Sequence, residues 1–410
     1  MPGPLSGYRI VDTTSMLTGP WATSILGDQG ADVIKVEVPQ TGDHVRSAGN
    51  RVEGLAAAFL NINRSKRSVT LNLKNPRGKA VLEELAASAD VFVQNFRPGV
   101  VERLGIDEPA IRKVAPKIIY VSISGFGERG PWSGKPVYDP IVQALSGLTT
   151  IQAGSDDARP RLVRTILPDK LTAVSASQAI TAALLSRAST GEGQHVRLSM
   201  LDVVLNFLWA SDMGGLTFVD RPVSNQAAAS FIDLIYETKD GYMTLSTMSN
   251  KEWANLSRAF GRPDLLQDER FLTPALRDKH VDERLSLVQE ELRNKTTAEW
   301  LELFEREDVP SAPALKRHEV IDHPQVVASG VVMEHDHPVA GRLRQTRSAA
   351  RFERTPADIH RGAPRLGEHN IEILSELGYS EADIEALRSD GAVGTEHYES
   401  LPDEQDAETR

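Results

Sequence analysis

Residues 161–202 read RLVRTILPDKLTAVSASQAITAALLSRASTGEGQHVRLSMLD, and the rest of the chain is read outward from them. An apolar segment ends at Pro168. Asp169 follows, at the mouth of a helix built almost entirely of small residues. Gly191 and Gly193 then punctuate a turn, and His195 to Met200 reads as a short strand. A carboxylate at a helix mouth has two readings. Asp is a favoured N-terminal cap, because its oxygens accept backbone N–H groups that have no partner inside the helix. It is also a competent nucleophile toward an acyl carbon, and N–H groups at a helix start can steady the oxyanion that develops. The two readings are compatible, and local sequence leaves both open.

Upstream, strand-like and helix-like segments alternate. Tyr8 to Asp12 is a short apolar strand. Gly19-Pro20 opens a helix running to about Gln29, Gly30 ends it, and Val33 to Val38 is a second strand. This βαβ unit lacks the Gly-x-Gly-x-x-Gly turn of a dinucleotide site. Further strands are expected at Val69 to Leu73, Asp90 to Asn95 and Lys117 to Ser124, with Pro76 opening a helix after the first of these. The pattern predicts an α/β fold with a large, doubly wound, mostly parallel sheet. Ligands in such sheets bind beyond the carboxyl ends of the strands. The loops of interest therefore follow Asp12, Val38, Leu73, Val93 and Ser124.

Two of those loops share a chemistry. Asn95-Phe96-Arg97-Pro98-Gly99 offers an amide, an aromatic face and a guanidinium; Leu71-Asn72-Leu73-Lys74 puts a cation at a strand end; Arg103 lies about one helical turn past Arg97. An aromatic base with a phosphate tail suits this mix, since Phe stacks and Arg and Lys pair with phosphate. A solvated helix start with incidental charges explains it too. Gly125 to Pro131 (GFGERGP) is a flexible loop that lets backbone approach a ligand.

From Phe207 to Asn225 the chain loses periodicity and reads as a linker. Phe231 to Tyr236 and Tyr242 to Ser246, joined through Lys239-Asp240-Gly241, predict a hairpin. With amphipathic helices at Trp253 to Phe260, Val281 to Leu292 and Ala298 to Glu305, they predict a smaller α+β domain. Short Arg-rich strands and a helix pair near Asn370 to Ser389 follow. The acidic tail from Glu396 is expected to be disordered.

Composition narrows the function. The 410 residues are 40% apolar and 25% charged, as in ordinary globular domains. A net charge of −11 argues against nonspecific nucleic-acid binding. The chain has no cysteine, which removes disulfides, thiolate nucleophiles and cysteine-based metal sites. No basic-then-apolar leader and no 18-residue apolar run is read, so a cytoplasmic protein with no membrane partner is expected. Glu334-His335-Asp336-His337 alternates along a strand and carries no expectation of metal. Ser199 and His195 give no triad, and neither a Gly-x-Ser-x-Gly elbow nor a Gly-Lys-Ser/Thr phosphate loop is present.

Taken in order, several motifs resemble those of the class III coenzyme A-transferases, the family of formyl-CoA transferase and carnitine CoA-transferase. They are residues 26–37 (LGDQGADVIKVE), Asn95-Phe96-Arg97-Pro98-Gly99, Gly125-Phe126-Gly127 with Gly130-Pro131, and Thr190-Gly191-Glu192-Gly193-Gln194 leading to Ser199-Met200-Leu201-Asp202. The similarity covers most of the chain.

The resemblance implies that Asp169 is the nucleophile of a CoA-transferase acting on an acyl-CoA and a small carboxylic acid. Coenzyme A is then a substrate, with no tightly bound cofactor and no metal. Leu17, Thr18, Leu71, Asn72, Leu73, Lys74, Asn95, Phe96, Arg97 and Arg103 would line its nucleotide end. Val137, Tyr138 and Asp139 would sit near the thioester. The family pattern is an interlocked homodimer of a large and a small domain joined by long linkers. On it the chain divides into 1–205 (CoA-binding part of the large domain), 206–225 (linker), 226–325 (small domain), 326–365 (return linker), 366–395 (helices rejoining the large domain) and 396–410 (tail). Two departures stand out. Val38 replaces a basic residue common after the Lys35-Val36-Glu37 motif. Residues 225–230 (NQAAAS) replace a glycine-rich lid, and alanines are stiffer; this points away from formyl or oxalyl transfer. The same fold hosts α-methylacyl-CoA racemases, the alternative enzyme. They use a His before the Asp where Tyr138 and Asp139 stand, and a phenol is a poor base at neutral pH. A non-catalytic acyl-CoA binder is the other alternative.

Overall fold

The computed structural model describes residues 3–220 and 233–394. The chain forms two compact units, Met1–Ala228 with Val331–Arg410, and Ala229–Gly330. These bounds stand beside the 226–325 read from the sequence for the small domain. The alanine-rich segment 225–230 and the acidic tail 396–410 lie outside the described residues.

The larger unit is organised by six parallel strands: β1 (Arg9–Asp12), β2 (Asp32–Glu37), β3 (Lys66–Thr70), β4 (Val91–Gln94), β5 (Ile119–Ser124) and β6 (His195–Ser199). Their order is β3-β2-β1-β4-β5-β6. Both faces are covered, so the strands read as near-continuous apolar runs. Ile10, Val33, Val91, Val93, Ile119 and Val121 face one apolar layer, with helices α1 (Thr18–Asp28) and α4 (Leu167–Thr190). Val11, Ile34, Val36, Val69, Phe92 and Tyr120 face the other, with α2 (Pro76–Ala87) and the C-terminal helices Asn370–Glu376 and Glu381–Ser389. Full burial of a side chain such as Phe92 stabilises by about 2–3 kcal/mol. The small residues of α4 now have a purpose. Ala173, Ala176 and Ala183 are buried within this layer, which lets α4 lie close to the sheet and beside α1.

Strand order reverses between β1 and its neighbours β2 and β4. That crevice is the place where doubly wound sheets take ligands. The loop after β1 and the loop after β4 meet there: Asn95 Oδ1 accepts from Ser15 N–H at 3.0 Å, and Asn95 Nδ2 donates to Ser15 O at 2.8 Å.

The third strand lies at Lys66–Thr70, upstream of the expected Val69 to Leu73. Its first residues are charged, yet fully buried in ion pairs, which hides them from an apolar pattern. Leu71 and Asn72 instead pair with the C-terminal segment, Leu71 bridging Val393 and Asn72 N–H donating to Ala392 O at 2.9 Å. A further helix, α5 (Met200–Trp209), carries the chain past residue 206, where the linker was expected to begin.

The smaller unit holds three antiparallel strands, Ile235–Glu237, Tyr242–Leu245 and Ser311–Pro313. Helices Asn250–Phe260 and Thr297–Arg306 both open on capping boxes, Ser249 with Glu252 and Thr296 with Glu299. Trp253, Phe271, Trp300 and Phe304 centre its core.

Candidate active site

Asp169 is the third residue of α4, which begins at Leu167. The N-cap position falls on Ile166, which makes no side-chain cap bond. The carboxylate does not cap its helix. Asp169 Oδ1 accepts instead from the Thr18 hydroxyl, at the first residue of α1. The described residues make no other hydrogen bond to this carboxylate, so Oδ2 is left unengaged. Two helix starts therefore meet at one carboxylate, and the positive ends of both dipoles favour its anion. Burial outweighs them: it pushes the Asp169 carboxyl above its ordinary range, against the Thr18 hydrogen bond, and the nearby Asp139 charge pushes the same way.

Asp139 opens α3 (Asp139–Leu145) and is buried. Its Oδ1 accepts from Gln143 Nε2 at 2.6 Å, one helical turn on. Its Oδ2 has no hydrogen-bond partner of good geometry, although the Asp169 N–H is near enough to favour its anion. Burial still raises the Asp139 carboxyl above the usual range. Gln143 also grips the segment leading into α4. Its Oε1 accepts from Val163 N–H at 2.9 Å, and Nε2 reaches Val163 O at 3.3 Å and Thr165 O at 3.4 Å. Sequence reasoning missed Gln143. The only signal was its i, i+4 spacing from Asp139.

The loop presenting Thr18 is held from below at three successive residues. Lys35 Nζ donates to Thr14 O at 3.0 Å, Asn95 brackets Ser15, and Asp43 Oδ1 accepts from Met16 N–H at 3.0 Å. Met16 is a non-glycine residue at φ 70°. Such a conformation costs ~1–3 kcal/mol and persists where its surroundings over-determine it. Gly19 follows for a steric reason, since a Cβ there would lie 2.4 Å from Thr14. Beneath, Lys66 Nζ donates to Asp12 Oδ2, Pro20 O and Asn63 Oδ1 at 2.7–2.9 Å, and Arg46 pairs with Glu37 at 2.7 Å.

The other expected site residues fall into separate places. Thr18 was expected at the nucleotide end, and the structure gives its hydroxyl the nucleophile candidate as neighbour. Leu17 stands beside it, half-buried. Val137 packs on Gly125, where a Cβ would lie 2.1 Å from it. Tyr138 is 61% exposed. Asn95 spends its amide on Ser15, and Phe96 packs partly against the core. Leu71 is buried in that core, Leu73 half-buried against it, and Asn72 is tied to Gly391 O at 3.3 Å. Lys74, Arg97 and Arg103 are exposed and make no ion pair among the described residues. Arg103 reaches back over Gly99, just after Arg97. Lys74 and Arg97 lie in loops just past strand ends and Arg103 in the short helix Val100–Leu104, so these are exposed cations of the kind an anionic ligand tail requires.

In the segment Glu334-His335-Asp336-His337, Glu334 and His337 are engaged in ordinary pairs. Glu334 binds Arg342 and Arg344, and both ring nitrogens of His337 are occupied, by Ala363 O and by Val339 and Ala340 N–H. Among the described residues no three metal-ligating side chains gather, and no helix is long and apolar enough to cross a membrane. Ser199 caps α5 and His195 bonds Ser122 at 2.8 Å.

Comparison with known proteins agrees with this geometry. The profile of CoA-transferase family III matches residues 5–370. Mouse succinyl-CoA:glutarate CoA-transferase is 36% identical over 408 residues, covering 95% of this chain and 90% of that one. Formyl-CoA:oxalate CoA-transferase of Afipia carboxidovorans is 32% identical, covering 95% and 97%. Among solved structures, a CAIB/BAIF family protein from Brucella suis superposes with a TM-score of 0.80 at 30% identity, over 92% of this chain and 100% of that one. The chain belongs to CoA-transferase family III, and is a CoA-transferase.

Proposed function

We propose that the protein moves coenzyme A from an acyl-CoA thioester to a free carboxylic acid through covalent intermediates on Asp169. The observation that carries this reading is a half-buried carboxylate with one oxygen fixed by Thr18 and, among the described residues, the other unengaged and no cation paired with it. Asp169 Oδ2 attacks the thioester carbon. A C–O bond forms, the C–S bond breaks, and CoA leaves as thiolate, giving a mixed anhydride. The thiolate then attacks Asp169 Cγ and expels the donor acid, leaving an aspartyl-CoA thioester. The acceptor carboxylate attacks the same Cγ, regenerates thiolate, and forms a second anhydride. Attack of thiolate on the acceptor's acyl carbon releases the new acyl-CoA and the free Asp169. One activated acyl bond, thioester or anhydride, is present at every stage, so no other energy source enters.

Lys74, Arg97 and Arg103 bind the phosphates of the CoA ester in this reading, and Tyr138 and Asp139 flank the thioester. A homodimer and a cytoplasmic setting belong to it as well. For the acids, the alanines at 227–229 speak against formyl or oxalyl transfer, and the mouse relative's name supports exchange between longer dicarboxylates such as succinate and glutarate. The test is direct. Succinyl-CoA is offered with glutarate, oxalate, formate and a panel of short mono- and dicarboxylates, and new CoA esters are separated. Glutaryl-CoA formation that Asp169→Asn abolishes supports the proposal; hydrolysis alone, or transfer surviving in that variant, refutes it.

A further inference from the structure

The steps above place negative charge on Asp169 itself twice. When thiolate attacks Cγ, and again when the acceptor does, the electrons of the Cγ=Oδ1 bond move onto Oδ1. In the two outer steps the oxyanion forms on the substrate's own carbonyl oxygen. An enzyme of this kind needs a donor at Oδ1 for the inner pair.

The backbone of α4 has little to offer there. Leu167 N–H donates to Thr165 O, Pro168 has none, and Lys170 N–H donates to Ile166 O. The Asp169 N–H faces Asp139. The Thr18 hydroxyl, by contrast, already sits on Oδ1. It is buried, and its loop is pinned by Lys35, Asn95 and Asp43. Such a donor needs no reorganisation as charge develops, which is the condition under which one hydrogen bond counts most.

We propose that Thr18 is a catalytic residue of the two inner steps: its hydroxyl fixes Oδ1, commits Oδ2 to the attack, and stabilises the oxyanion formed on Oδ1 whenever Cγ is attacked. This rests on the covalent reading of Asp169. It predicts an asymmetry that a general packing role would not produce. Loss of the hydroxyl slows passage from anhydride to aspartyl-CoA, while formation of the anhydride is spared.

The experiment is a half-reaction. Full-length wild type, Thr18→Val and Thr18→Ser are mixed with succinyl-CoA without acceptor, quenched in acid at short times, and weighed as intact protein. Wild type is expected to pass quickly through the succinyl adduct to the CoA adduct. In Thr18→Val the succinyl adduct persists and the CoA adduct appears about 10²-fold more slowly. Thr18→Ser restores the wild-type order, which separates the hydroxyl from its methyl group. A CoA adduct formed by Thr18→Val at the wild-type rate overturns the assignment, as does equal slowing of both adducts. If wild type forms neither adduct, the covalent reading falls first and Thr18 with it.

Discussion

Four carboxylates of the larger unit, all largely withdrawn from water, form two pairs with opposite fates. Asp12 and Glu37 lie under the sheet's crevice, each against a buried cation: Lys66 at 2.9 Å and Arg46 at 2.7 Å. Burial alone would raise both. The cations outweigh it, holding Asp12 far below the carboxylate range and bringing Glu37 down to about 2. Asp139 and Asp169, beside the crevice, have no such cation, and burial keeps both above the range. The same desolvation is compensated in one place and left standing in the other. The first set braces the loops under the crevice, and the second is the pair to which the proposed chemistry is assigned.

The comparison breaks most sharply at Asp169. Replacement by Asn is expected to lower transfer on the order of 10⁴-fold or more. Thermal unfolding should show no loss of stability, because the variant removes a charge that burial disfavours. Next in size is Lys66→Met, which strands Asp12 as a buried charge. It is expected to cost about 3–5 kcal/mol in urea unfolding. A loss under 1 kcal/mol there would erase the distinction between the sets.

Acidification separates them without mutation. In the proposed mechanism Asp169 attacks as the anion, and its ionisation is shifted above the ordinary 3.8. Activity should therefore fall as pH drops, with a midpoint above that value. Glu37 has its folded value depressed from 4.5 to about 2. Its contribution to stability is full above pH 4.5, shrinks as pH drops below that value, and is gone once pH has fallen through about 2. Initial rates and circular dichroism over one pH series should show activity lost before fold; coincident loss would contradict the division. The smallest effect belongs to the surface cations. Arg97→Ala is expected to raise KM for the CoA ester about tenfold, with kcat and unfolding unchanged, since one phosphate contact is worth roughly 1.4 kcal/mol at this level.

The sheet was legible because its parallel strands are apolar and regularly spaced, as Ile10-Val11 and Val91 to Val93 show. Its third strand was misplaced because Lys66 and Arg67 read as surface and are core. The charges of residues 26–37 belong to one of the motifs that carried the resemblance. In the structure they are struts: Asp28 holds Arg64, Asp32 holds Arg67, Lys35 holds Asp43 and Glu37 holds Arg46. Asp169 stood out as a carboxylate at a helix mouth. Its engagement with Thr18 did not, because the two are 151 residues apart and only the packing of α1 beside α4 joins them. The bracing of Ser15 by the Asn95 amide was hidden for the same reason, since the two lie 80 residues apart.

In the proposed mechanism an oxygen of the acceptor acid becomes, in turn, an oxygen of Asp169. Succinyl-CoA is turned over with glutarate carrying oxygen-18 in its carboxylates, and the protein is digested and sequenced by mass spectrometry. Label in the Asp169 side chain, and in no other residue, is the predicted result. Sustained glutaryl-CoA formation with Asp169 unlabelled would contradict the account.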